Sequence, residues 1–166
     1  MVENNPVSNA GLDTALLALQ GFVVVFLLFH DWVPLGRLNN VAAVKSEDSR
    51  LRTIFVTLLP AVPAAICLYY SARYFGRAYP DWLEMWFWIT YGVFLAGMLR
   101  AWWIPYLFVP DKERAERYQI LFAGTHSFLP RRNGIIPDTL HVSFHLVTVA
   151  TMVMLFVRNG MTRGVR

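Results

Sequence analysis

Four long apolar stretches, separated by polar connections, dominate the pattern of this chain of 166 residues. They fall at about residues 14–31, 51–72, 82–106 and 139–157, with Asp13 or Thr14 placed to cap the first. Each is long enough to cross roughly 30 Å of hydrocarbon at about 1.5 Å per helical residue. The pattern predicts an all-α, polytopic membrane protein. Its single domain, residues 1–166, would contain four transmembrane helices in an antiparallel bundle.

The connection between the third and fourth spans is chemically mixed. It begins with DKERAERYQILF, in which charged residues alternate with apolar ones such as Tyr118 and Phe122. This mixture is typical of a short helix lying along the membrane surface, and Asp111 is placed to cap it. An interfacial segment of about residues 111–136 is therefore predicted, and it includes the sequence THSFLPRRNG.

Composition agrees with a membrane setting, since 56% of the residues are apolar, 15% aromatic and only 16% charged. The net charge of +4 comes from basic residues that flank the spans without forming a continuous patch. This distribution argues against a nucleic-acid partner and makes the lipid bilayer the expected one, with oligomers compatible. Lys45 and Lys112 both lie in connections, which excludes a retinal-type Schiff base within a span. The lone Cys67 can form no internal disulfide.

Four antiparallel crossings would bring the scattered polar residues to one side of the membrane. The end of the first span, the start of the second, the end of the third and the start of the fourth would all emerge there. More Lys and Arg residues flank this side, so the positive-inside rule predicts that its loops are cytoplasmic and both termini outside, in the cell membrane. The residues brought together are His30, Asp31, Arg100, His126, Arg131, Arg132, Asp138, His141 and His145.

The first functional hypothesis is a metal site. His141 and His145 have the i, i+4 spacing that places two imidazoles on one helix face. His30 and Asp31, at the end of the first span, could complete the ligand set for a divalent transition metal. Haem held between spans is a less favoured version. No glutamate stands between the histidines as in HExxH, so the motif is weakly specific.

The second hypothesis is a pocket for a lipid-like or anionic small molecule, with or without catalysis. His126 or His145 would then be the acid or base. The anionic group would be bound by Arg100, Arg131, Arg132 and Asn133. An ion pair between Arg100 and Asp31 is expected at the pocket mouth, and THSFLPRRNG is expected to fold over the pocket as a lid or wall.

The third hypothesis is a membrane protein without catalytic activity, such as an assembly factor, a subunit or a sensor. In that case the polar cluster would be structural, with each histidine satisfied by a neighbouring group. The sequence alone leaves open whether the protein is an enzyme.

Overall fold

A computed structural model describes the backbone of residues 6–163 and the side chains of residues 10–160. Within that range the chain is built of helices and turns, with one isolated β-bridge between Arg132 and Ile135. A π-helical turn, Leu99–Trp103, joins α4 to α5, and a 3-10 turn, Gly36–Leu38, precedes α2. The α-helices are α1 (Pro6–Phe29), α2 (Val41–Glu47), α3 (Arg50–Arg73), α4 (Asp81–Met98), α5 (Ile104–Leu107), α6 (Lys112–Leu121) and α7 (Thr139–Arg163).

Four helical segments are long and apolar enough to cross a membrane, which confirms the predicted all-helical membrane class. They are Ala10–Phe29, Arg50–Arg73, Asp81–Leu107 and Thr139–Gly160. Large apolar side chains such as Phe55 on α3 are exposed on their outer faces, as lipid contact requires. The two chain termini, whose sidedness was predicted, lie outside the described residues.

Polar side chains begin several of the helices. The Asn40 and Ser49 side chains accept hydrogen bonds from backbone N–H groups in the first turns of α2 and α3. Asp111 Oδ1 accepts one from the Arg114 N–H at 3.0 Å, which confirms the predicted cap of α6. The prediction that Asp13 or Thr14 caps the first span is wrong, because α1 begins earlier, at Pro6.

The main core lies where α1 packs against α3 and α7, and where α4 packs against α3 and α7. Leu16, Val23, Leu83 and Tyr91 are all but inaccessible to solvent there. A smaller cluster joins the π turn to the helices and loop that follow it. It consists of Trp102, Tyr106, Ala115 and Ile135.

A buried ion pair links the first turns of α1 to the last turns of α7. Arg158 Nε donates to Asp13 Oδ1 at 2.6 Å, and the two side chains are only 7% and 2% exposed. The second Asp13 oxygen accepts from the Gly76 N–H at 2.7 Å. Arg158 Nη2 donates to the Arg77 carbonyl at 2.6 Å, and its guanidinium carbon lies 3.4 Å from the centroid of the Tyr79 ring. One pair thus fastens α1, α7 and the connection from α3 to α4.

Replacing one member of this pair should destabilise the protein strongly, because the other charge would remain buried without its partner. We expect Arg158→Ala to lower the free energy of unfolding by about 3–5 kcal/mol. Thermal unfolding in detergent measures this change. Arg73→Ala, at an exposed position on α3, is the matched control. Equal unfolding temperatures for the two variants would contradict this role for the ion pair.

Candidate functional site

A cavity of about 500 Å³ lies between α1, α3, the third long helix and α7. Three of the four histidines line it. The ring centroids of His30 and His141 are 5.5 Å apart, and those of His141 and His145 are 6.5 Å apart. The Phe26 ring lies parallel to the rings of both His30 and Phe144, each at a centroid distance of 4.3 Å. The histidines are therefore set into a wall of aromatic rings.

The buried carboxylate of Asp138 orients His141. Asp138 Oδ1 accepts a hydrogen bond from the His141 N–H at 3.0 Å, and Oδ2 lies 2.7 Å from His141 Nδ1. Because an ionised carboxylate can only accept, the proton between these atoms belongs to Nδ1. In the neutral imidazole, Nε2 then carries the lone pair. The Asp138 side chain is 1% exposed. Its carboxylate both caps the N-terminus of α7 and sets the tautomer of His141.

The charge on Asp138 follows from the same contacts. Burial raises the pKa of its carboxyl group, but the hydrogen bonds and charge of His141 lower it by more. The net pKa lies below the ordinary value for aspartate, so the carboxylate is ionised at neutral pH.

His30 lies between the Phe26 carbonyl and the Asp31 carboxyl group. His30 Nδ1 lies 2.8 Å from the Phe26 carbonyl, which can only accept, so Nδ1 carries a hydrogen. Nε2 lies 3.2 Å from Asp31 Oδ2. A hydrogen bond there needs a second proton, either on Nε2 or on the carboxyl group.

His145 lies one helical turn deeper than His141 and is 4% exposed. Its ring contacts Trp102, Trp103 and Phe144, with centroid distances between 5.8 and 6.0 Å. Within the described part of the chain, its buried Nδ1 has no hydrogen-bond partner. An unpartnered buried nitrogen is costly, and a polar atom of a bound molecule would satisfy it.

The π turn and α6 close the histidine end of the cavity. In the π turn the Ala101 carbonyl accepts hydrogen bonds from Tyr118 Oη at 3.1 Å and Arg114 Nη1 at 3.5 Å. The Trp102 ring packs against Tyr118 and Phe122, with centroids 4.5 and 5.0 Å apart. Phe122 also contacts His141, at 5.1 Å. We call Trp102, Tyr118 and Phe122 the aromatic roof. Single π turns occur often at functional sites.

The predicted arginines lie outside this cavity. Arg100, Arg131 and Arg132 are exposed, and none of them lines it. No ion pair joins Arg100 to Asp31 among the described side chains, so the expected pair is wrong: Asp31 is beside His30 instead. Arg100 belongs to the π turn, and its side chain is on the exposed face of that turn. Arg131 lines a separate cleft of about 260 Å³ formed largely by α6 and the loop after it.

The segment THSFLPRRNG does not fold over the cavity as predicted. His126 is exposed to solvent, and its Nδ1 lies 2.7 Å from Thr139 Oγ1 at the start of α7. Asn133, with a φ angle of +51°, donates from its side chain to the carbonyls of Pro105 and Tyr106. These bonds hold the loop against α5, and the aromatic roof covers the cavity in its place.

The residues predicted to bind metal are close together without forming a ligand set. His30, Asp31, His141 and His145 all line the cavity. Yet in the described part of the chain no group of three or more His, Cys, Asp or Glu side chains is arranged to hold a metal ion. The nitrogens of His30 and the Nδ1 of His141 already face a carbonyl or a carboxylate. This arrangement suits acid–base chemistry better than metal coordination.

Sequence reasoning did not assign roles to Asp138, Trp102 and Tyr118 in the site. A signal for Asp138 was present, because an aspartate three residues before a histidine at a helix start can cap the helix and reach that imidazole. No comparable signal marked the aromatic roof, since it depends on the π turn.

No protein-family model, curated protein or solved structure matches this chain. The function is therefore argued from the cavity alone.

Removing the Asp138 carboxylate should cost stability in a way that depends on pH. We expect Asp138→Asn to lower the free energy of unfolding by about 1.5–3 kcal/mol at neutral pH, since a buried charged hydrogen bond is lost. A carboxyl group whose pKa is lowered by folding stabilises the protein fully above its unfolded pKa of about 3.9. The difference from wild type should therefore shrink as the pH falls through the lowered pKa. Chemical unfolding across pH values measures it.

The matched control is Asp111→Asn. Asp111 also caps a helix and also has a lowered pKa, mainly through the Arg114 N–H, but it is partly exposed to solvent and bonds to no histidine. Its replacement should cost less. A pH-independent loss for Asp138→Asn, or equal losses for both variants, would contradict the proposed coupling to His141.

Proposed function

We propose that the four long helices cross the membrane as an antiparallel bundle forming one domain. The α6 helix would lie along the interface, with the histidine end in the cytoplasm. The buried contacts support this arrangement, because the beginning of α1 meets the end of α7 while His30, after α1, meets His141 in the first turn of α7. The excess of Lys and Arg on the histidine side supports the orientation.

Reporter fusions test the topology. A reporter fused after residue 166 should report the outside, whereas one inserted in the connection of residues 40–48 should report the cytoplasm. The same result from both positions would contradict the three crossings proposed between that connection and residue 166. A reversed pair of results would leave the bundle intact and invert its orientation.

We propose, second, that the cavity binds a neutral, membrane-soluble small molecule and that His141 exchanges a proton with it. The observation that carries this proposal is the pairing of buried Asp138 with His141 Nδ1. The same His141 ring lines a largely apolar cavity, and its Nε2 is the nitrogen that the carboxylate leaves free. A base held by a buried carboxylate is a recurrent arrangement for acid–base chemistry. The cavity volume also lies within the range of roughly 300–1,000 Å³ usual for small-molecule sites.

The proposed proton transfer runs between one oxygen of the ligand and His141 Nε2. An O–H group of the ligand would give its proton to His141 Nε2, leaving the ligand as an anion and His141 as an imidazolium. The Asp138 carboxylate, 2.7 Å from Nδ1, would stabilise that imidazolium. Returning the proton to the same oxygen, or to another atom of the ligand, restores the neutral histidine. His145 Nδ1 would bind a second polar atom.

The proposal revises the earlier hypothesis of an anionic ligand. Among the charged side chains of residues 10–160, only Asp31 lines the cavity, together with the imidazoles, and no Lys or Arg side chain in that range does so. An anion would be held there without a fixed positive charge and at the cost of its hydration. A ligand that enters neutral avoids that cost, and proton transfer then forms its anion beside the His141 imidazolium that balances the charge.

A compound retained by the purified protein tests this function. After purification in mild detergent and extraction with organic solvent, mass spectrometry should find one compound in a fixed ratio to protein. We expect His141→Leu and His145→Leu to reduce that ratio about tenfold or more, because each removes a polar contact in the cavity. His126→Leu, which replaces an exposed histidine outside it, should retain the compound.

Thermal unfolding confirms that each variant is folded. A compound retained equally by all three variants would place binding elsewhere. No retained compound in folded wild-type protein, taken together with no binding of added membrane-soluble molecules, would favour the structural role of the cluster over the ligand site.

A further inference from the structure

The cavity is closed towards α6 and open to one side. At its histidine end the aromatic roof packs ring against ring, and Tyr118 is tied to the π turn by the hydrogen bond to the Ala101 carbonyl. Any molecule larger than water would have to separate those rings to pass. The route for a ligand must therefore be sought between the long helices.

One such route lies between α3 and α4. These helices meet near the end of α3, where the rings of Tyr70 and Trp82 are 5.1 Å apart. Nearer the histidines the cavity reaches the surface between them, lined by Val56 and Pro60 on α3 and by Val93 and Gly97 on α4. Val56 is 43% exposed and Val93 is 64% exposed, on faces that point to lipid if the helices span the membrane. The residues named here make the opening apolar, and in the proposed membrane arrangement it faces the bilayer.

The inner wall has the chemistry of a site for a flat ring. Phe26 stacks in parallel with His30 and with Phe144, with interplanar angles of 11° and 10°. The Trp102 and His141 rings are tilted by 33° relative to each other, with centroids 4.9 Å apart. Because the His30 and Phe144 rings cover both faces of Phe26, a planar ligand would contact its edge or the outer faces of its neighbours, and edge-to-face contacts between rings are also favourable. The His141 and His145 nitrogens favour oxygen atoms on that ring, as hydroxyl or carbonyl groups.

We propose that the ligand is a neutral ring bearing carbonyl or hydroxyl oxygens and an apolar tail, the chemistry of a membrane quinone or quinol. The ring binds among the histidines, and the tail leaves through the opening between α3 and α4. This inference rests on the proposed function, because it names the ligand class and the route for that same cavity. It concerns binding and hydrogen bonding alone. In the quinol form, a ring O–H donates to His141 Nε2.

A larger side chain at Gly97 would narrow the opening, and the surrounding packing leaves space for it. A Cβ built at Gly97 has no neighbouring heavy atom within 4 Å, and the same is true at Gly92, five residues earlier on α4. Gly97 lines the cavity and Gly92 does not. Gly97→Leu should fill the opening with a branched apolar side chain, and Gly92→Leu is its matched control. Leucine is also favourable in a helix at both positions.

The probe is a benzoquinone carrying a decyl chain, added to the full-length protein in lipid nanodiscs. Quinones quench tryptophan fluorescence, and Trp102 lines the cavity. We expect saturable quenching in wild type and in Gly92→Leu, above the linear quenching caused by partition into lipid. Affinity should fall about tenfold or more in Gly97→Leu, because the tail loses its path. The same ring without a tail should bind more weakly and lose little further affinity in Gly97→Leu.

The outcomes separate the two proposals. Equal affinity of the decyl probe for Gly97→Leu and Gly92→Leu would overturn the route between α3 and α4. A failure of the quinone to bind saturably, with another compound still retained in a histidine-dependent way, would overturn the ligand class and leave the proposed function standing. Saturable binding that survives both His141→Leu and His145→Leu would remove the cavity itself as the site.

Discussion

The buried ion pair between Asp13 and Arg158 sets the register in which α1 lies against α7. From Asp13 it is 17 residues forward to His30, and from Arg158 it is 17 residues back to His141. At about 1.5 Å per residue, both intervals correspond to about 25 Å along helices that run in opposite directions. Fixing the first pair of residues therefore brings the second pair level. The histidines meet because two charges at the other end of the same two helices cannot be separated without leaving a buried charge uncompensated.

Between the ion pair and the histidines, further polar residues of α1 and α7 are buried in the bundle interior. Seven residues inward from the ion pair on each helix come Gln20 and Thr151, both fully buried. The Thr151 and Thr148 hydroxyl groups donate hydrogen bonds to backbone carbonyls one turn earlier in α7. Such groups are costly in the hydrocarbon region and are accommodated by facing other helices.

Sequence patterns were sufficient for the features that depend on local composition. The apolar runs identified the four long helices, and Asp111 identified the start of α6. The order of the crossings alone was enough to predict that His30, at the end of the first span, lies near His141, at the start of the fourth. The partner of Arg158 was not predicted, because Asp13 was interpreted as a cap. The positions of Arg100 and Arg131 depend on the π turn and on the positive φ angle of Asn133, which are set by tertiary contacts and have no periodic signal.

The π turn explains why the histidine end of the cavity is aromatic instead of basic. A π turn leaves a carbonyl without its usual partner within the helix, and here the Ala101 carbonyl binds the Tyr118 hydroxyl and the Arg114 guanidinium. That bond places the Tyr118 ring over Trp102, while Arg114 is drawn outward to Asp111. With the cations held away from the cavity, its imidazoles are surrounded by rings and by carboxylates that are buried or half-buried. An environment of this kind favours neutral ligands that accept or donate a hydrogen bond, and it excludes ions that would have to shed their hydration.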